Sequence, residues 1–237
     1  MKQPEPLPRF VILQHTLPAH REALRQKLSQ RRELPALNPL AWSGEIGRWQ
    51  GIDIACFAGG EPERVIVPIL EQRQVEYIFC VGLAGSLSPE LHLGELAAPI
   101  ASVRGDGLTD YWADPKLPAV AHMAALSAIN QAAQQAGIAF NNGLFYTSAS
   151  WYKEPEFIEQ WSKLGVVGIQ MELAQYYLLG HLYGKKVAGL YVISDLPLTG
   201  EAVWQTGFRQ DPLILEGCLR SVEVLLQAIA SLASSTT

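Results

Sequence analysis

Four runs in this sequence are apolar at consecutive positions: RFVILQ (residues 9–14), IDIACFAGG (52–60), EYIFCVGLAG (76–85) and KKVAGLYVISD (185–195). A strand that is apolar on both faces has to be covered on both faces. The stretches between these runs carry apolar residues at helical spacing, over residues 18–32, 62–74, 117–136 and 211–232, the third stopping at Gly137, a C-cap residue. Shorter strands are expected at 42–49, 95–104, 139–147 and in VVGIQ. Helices are expected at 155–164 and in MELAQYYLLGHLYG, whose first turn carries Met171 and Glu172. Buried strands alternating with helices predict the α/β class, with a central sheet covered on both sides.

The chain has 237 residues, 49% of them apolar and 17% charged, which is enough for a sizeable core. There is no repeat and no low-complexity linker, so one domain is expected over residues 9–232, after a frayed Pro-rich start (1–8) and before a loose tail (233–237). Eighteen Lys and Arg against 23 Asp and Glu give a net charge of −5, the wrong sign for a general nucleic-acid binder. The basic stretch REALRQKLSQRR (21–32) reads as a solvated helix face. Cys56, Cys80 and Cys218 stand far apart in apolar runs. They read as buried thiols of a reducing compartment, with no ligand spacing for a metal and no implied cofactor. The charged, Pro-containing start lacks the apolar centre of a signal peptide, and no run has the length of a membrane span. A cytoplasmic protein without a membrane partner is the expectation.

In α/β sheets ligands gather beyond the carboxyl ends of strands, and three such ends stand out. Gly59-Gly60 is either a tight turn needing positive φ or a place of close backbone approach to a ligand. The turn expected at Val81–Ser86 carries Gly82 and Gly85 as GxxG, which is not the GxGxxG of dinucleotide folds. Asp195 closes the apolar run KKVAGLYVISD. It is either a helix N-cap or a desolvated acid with its pKa raised into the range of a general acid. Glu172 is equally open between a helix-dipole partner and a ligand-binding carboxylate.

Two long stretches in fixed order go further: FCVGLAGSLSPELHLGELAAPIASVRGDG (79–107) and WSKLGVVGIQMELAQYYLLGHLYGKKVAGLYVISD (161–195). In these the sequence resembles the nucleoside phosphorylase and nucleosidase superfamily, uridine phosphorylases above all, from about residue 10 to residue 232. The resemblance implies a three-layer α/β/α domain with a mixed central sheet, assembled as a homo-oligomer (a dimer or a hexamer), and cleavage of the N-glycosidic bond of a nucleoside. It gives Glu172 the ribose hydroxyls, with Met171 against the sugar. It gives Asp195 the leaving base of purine-type members, and Trp151 and Tyr152 the face of the base. Arg209 lies one residue from the place of an arginine that assists the acid.

The pattern fails where phosphate is held. His20 stands in an arginine position of the first loop, Cys80 in another, Leu83 replaces a phosphate-binding hydroxyl, and Leu40 aligns loosely with a partner-subunit arginine. Pro155 and Phe157 stand where uracil is read. An inorganic dianion left without cations in such a pocket is costly. Three readings follow: a nucleosidase acting on a purine-like nucleoside, with His15 or His20 as base toward water; a phosphorylase whose anion site is rebuilt from Arg21, Arg64 or Arg104; and a nucleoside-binding protein without turnover. For Arg104 the competing reading is a structural partnership with Asp106.

Overall fold

A computed structural model describes residues 6–14, 18–34, 44–58, 62–200 and 210–235. Its strands are β1 (Phe10–Gln14), β2 (Ser29–Leu34), β3 (Gly44–Trp49), β4 (Ile52–Ala58), β5 (Tyr77–Ser86), β6 (Leu96–Gly105), β7 (Ala119–Val120), β8 (Phe140–Ser148), β9 (Val166–Gln170) and β10 (Lys186–Asp195). Its helices are α1 (Pro18–Lys27), α2 (Pro62–Leu70), α3 (Met123–Gln135), α4 (Ile158–Lys163), α5 (Leu173–Leu182) and α6 (Pro212–Ser234), with 3-10 turns at Thr109–Tyr111, Trp151–Glu156 and Pro197–Thr199.

The strands form one mixed sheet in the order β10-β6-β8-β9-β5-β1-β4-β3-β2. Because β10 also pairs with β5, the strands β5, β9, β8, β6 and β10 close into a ring, from which β1, β4, β3 and β2 extend as a wing. Alternation along each strand sorts the core into two layers. Phe10, Ile12, Tyr77 and Phe79 face α1, α3 and α6, whereas Val11, Leu13, Ile78 and Cys80 face α2 and α5. The expected three-layer α/β arrangement with a mixed sheet is therefore present, and Leu7 is already buried in it.

Four local expectations need correction. The helix from residue 18 ends at Lys27, and Ser29–Leu34 is an edge strand antiparallel to β3. There Arg25 and Arg31 both reach the buried Glu45 carboxylate, at 3.1 and 3.5 Å, so tertiary pairing overrides the helical spacing of the basic stretch. The stretch from 117 first adds Ala119–Val120 to the edge of β6 and turns helical only at Met123. The helix placed at 155–164 is a 3-10 turn followed by the short α4. Finally, Gly82 and Gly85 are not in a turn: β5 runs on to Ser86, because Gly82, Leu83 and Ala84 keep pairing with Tyr191, Val192 and Ile193 of β10.

Candidate active site

The ring of five strands brings separate chain ends to one place. Gly85, next to last in β5, lies between Asp195 of β10 on one side and Ile169 of β9 on the other. A Cβ there would come within 2.8 Å of Pro197 Cγ and 3.1 Å of Ile169 Cγ2, so only glycine lets these ends close together. Two strand spacings, about 10 Å, thus separate the backbone of Asp195 from the end of β9 that leads to Glu172. That is the span of a base joined to a sugar. On the far side of β9, Gln170 pairs with Thr147 of β8.

Asp195 is 7% exposed and accepts a hydrogen bond from Ser194 Oγ at 2.7 Å. A second carboxyl joins it. Glu154, on the 3-10 turn after β8, is buried and raised to about 7, chiefly by desolvation and further by the negative field of Asp195, while the Ser148 hydroxyl opposes the shift. Nothing in YKEPEF distinguishes Glu154 from its neighbours in sequence; its burial comes from the way the turn folds over the ends of β8 and β10.

Glu172 occupies the N-cap position of α5, yet its side chain makes no capping bond. Burial raises its carboxyl to about 7, against a hydrogen bond from the Met171 backbone N–H that favours the charged form. Burial pushes Cys80, Tyr176 and Tyr191 upward, and the negative field of Glu172 adds to each shift. Met171 beside it is partly buried.

The other candidates spread more widely. Trp151 (43% exposed) and Tyr152 (88%) sit on the same turn as Glu154 but on its outer side. Phe157 packs on Tyr146, with ring centroids 5.1 Å apart, in a small apolar cluster. Cys80 and Leu83 are buried in β5. Arg21 is partly buried on α1 and Arg64 exposed on α2. His15, Leu40, Gly59, Gly60 and Arg209 lie outside the described residues.

Arg104 corrects an expectation. Its partner is Asp110 rather than Asp106, and all five of its N–H groups are taken. They bond Thr109 Oγ1 (3.1 Å), the carbonyls of Asp114 (2.6 Å), Leu117 (2.8 Å) and Ala113 (2.9 Å), and Asp110 Oδ1 (2.9 Å). Asp106 instead bonds the hydroxyl and N–H of Thr109. A guanidinium has five donors and no more, so Arg104 clamps its own loop and has none left for an anion.

His20 is not a surface histidine. It is fully buried in the first turn of α1, neither ring nitrogen has a hydrogen-bond partner, and desolvation lowers it to about 4. In an unfolded chain a histidine titrates near 6.5. The stability tied to its neutral form is therefore complete above pH 6.5 and lost as pH falls toward 4, by roughly 2–3 kcal/mol. His20→Leu is expected to abolish that loss. Thermal unfolding at pH 7 and pH 4.5 should show the gap between variant and wild type widening in acid, and parallel curves would refute the assignment.

Among the described residues no group of three His, Cys, Asp or Glu is placed to hold a metal ion, and no helix is long and apolar enough to cross a membrane. Residues 17–211, most of the chain, match the sequence model of the phosphorylase superfamily. The chain belongs to the phosphorylase superfamily.

Within this superfamily the chain is 28% identical over 160 residues to a purine nucleoside phosphorylase of Plasmodium vivax, covering 66% of this chain and 64% of that relative's length. It is 26% identical over 215 residues to a uridine phosphorylase of Salmonella typhimurium, covering 82% and 83%. Two solved superfamily structures share the fold. A uridine phosphorylase from Vibrio fischeri superposes with a TM-score of 0.81 at 19% identity, covering 95% of this chain and 93% of that one. A purine nucleoside phosphorylase from Toxoplasma gondii, in complex with immucillin-H, superposes with a TM-score of 0.83 at 21% identity, covering 97% and 93%.

Proposed function

We propose that this superfamily member cleaves the N-glycosidic bond of a purine-like nucleoside and passes the sugar to water. The observation that carries the choice of acceptor is Arg104, an arginine near the strand ends whose five donors are all spent on its own loop. Cys80 and Leu83, where the family resemblance expects a cation and a hydroxyl, add no charge and are buried. A phosphate dianion needs fixed positive charge or several donors, and the described residues at β5 offer neither.

In this reading Asp195, with Glu154 buried beside it, holds a proton for the departing base, and Glu172 accepts the sugar hydroxyls. His20, fully buried and titrating near 4, has neither access to water nor the basicity to activate it, which leaves His15, outside the described residues, as the histidine for that role. An acid-assisted departure and a sugar held through its hydroxyls suit the oxocarbenium-like transition state of glycosidic cleavage.

The second reading keeps phosphate as acceptor, and the relatives support it, since those named above are phosphorylases. Purine and pyrimidine nucleosides incubated with and without phosphate separate the two. Free ribose and phosphate-independent rates are expected; ribose-1-phosphate formed only when phosphate is present would overturn the hydrolytic reading. Binding without turnover would leave a nucleoside-binding protein.

A further inference from the structure

Helix α5 starts with backbone N–H groups that have no acceptor within the helix, as every helix does. Here two buried side chains from neighbouring strands take them. Gln170 Oε1, at the end of β9, accepts from the N–H groups of Glu172 and Leu173, the latter at 2.9 Å. Thr147 Oγ1, in β8, accepts from the Ala174 N–H at 2.9 Å and from Gln170 Nε2 at 2.7 Å. Both lone pairs of the Thr147 hydroxyl are then used, so its own hydrogen goes to Ser102 Oγ of β6, 2.7 Å away, and Ser102 donates onward to the Val103 carbonyl at 3.3 Å. None of the three side chains is more than 5% exposed.

The consequence falls on Glu172. An acid at a helix start ordinarily turns back to bond these same N–H groups, which is the bland explanation for its presence. In this chain the groups are already satisfied, and the Glu172 side chain makes no cap. We propose that Gln170, Thr147 and Ser102 are positioning residues that cap α5 in place of Glu172, leaving its carboxyl to receive the vicinal hydroxyls of a ribonucleoside. This rests on the reading above that Glu172 holds the sugar. A residue fixed to grip two adjacent hydroxyls also prefers ribose over 2′-deoxyribose.

Thr147→Val, close in shape but without the oxygen, and Gln170→Met free the helix N–H groups for Glu172. With the intact protein, the ratio of kcat/KM for a purine ribonucleoside to that of its 2′-deoxy counterpart is expected to drop about tenfold in both variants, mainly through KM. Thr147→Ser, which restores the oxygen, should bring the ratio back. Mere loss of stability lowers both substrates together and leaves the ratio where it was.

A second readout needs no turnover: carbon-13 NMR titration of the Glu172 carboxyl. In the wild type it is expected to titrate near 7, facing Cys80, Tyr176 and Tyr191, which stay neutral through that range. In Thr147→Val it should fall toward ordinary carboxylate values as Glu172 turns to the freed N–H groups. An unchanged ratio together with an unchanged titration in a folded variant overturns the proposal. Should Thr147→Val not fold, Gln170→Met, which frees the Glu172 and Leu173 N–H groups, carries the same comparison. A wild type that ignores the 2′-hydroxyl, or releases no base, defeats the sugar role of Glu172, while the titration still decides who caps α5.

Discussion

Asp195→Asn is expected to slow base release from purine nucleosides by about 10²–10⁴-fold, the usual contribution of a positioned general acid. Asparagine matches the shape and keeps an oxygen to accept the Ser194 hydroxyl, which bonds Asp195 Oδ1 at 2.7 Å, so the strand end should hold its geometry. What it loses is the ability to give up a proton. A riboside whose leaving group departs well as an anion, such as a nitrophenolate, requires no proton and should lose little in the variant. Steady-state rates on the two substrates test the assignment, and equal losses on both would show that Asp195 acts only by holding structure.

Glu172→Gln should reduce kcat/KM for ribonucleosides by about 30- to 100-fold. Hydrogen bonds to a charged acceptor are each worth about 1.5–3 kcal/mol, and the neutral amide offers one oxygen where the carboxylate offers two. The pH dependence gives a sharper reading. Burial raises the Glu172 carboxyl to about 7, so it gains a proton and loses acceptor capacity as pH falls through that value. KM for ribonucleosides is therefore expected to rise in acid in the wild type and to be flat there in Glu172→Gln. On the alkaline side Glu154, also raised to about 7 next to Asp195, becomes charged as pH rises, and its negative field then holds the Asp195 proton more tightly. Glu154→Gln removes that field, so the rate of the variant should fall at a lower pH than that of the wild type. Alkaline limbs at the same pH in both would contradict the paired-carboxyl reading.

Some of the site is visible in the one-dimensional pattern. Asp195 ends an apolar run and Glu172 follows a short strand, so both had to arise at strand ends, where ligands of α/β proteins collect. Glu154 and the capping group had no such signal. Ser102 and Thr147 are 45 residues apart, Thr147 and Gln170 are 23 apart, and none of them breaks the periodicity of its strand. His20 shows the same blindness from the other side: a histidine beside a basic stretch reads as solvated, and only packing places it in the interior.

The basic stretch itself mixes both lessons. Helical spacing correctly marks α1, but residues 29–34 leave it for the sheet edge, where Glu45 draws in Arg25 and Arg31. Propensity decides what a segment forms when left alone. A partner strand with a buried carboxylate outweighs the few tenths of a kcal/mol per residue at stake.

The sequence by itself determined the alternation of buried strands with helices, the two-sided covering of the sheet and the uncharged chemistry of the side chains along β5, because side-chain period and chemistry are local properties of the chain. Tertiary structure alone decided which carboxyls stand together, which arginine is already spent and what leaves Glu172 uncapped. Those outcomes depend on hydrogen bonds and burial between residues tens of positions apart, and no local pattern encodes such meetings.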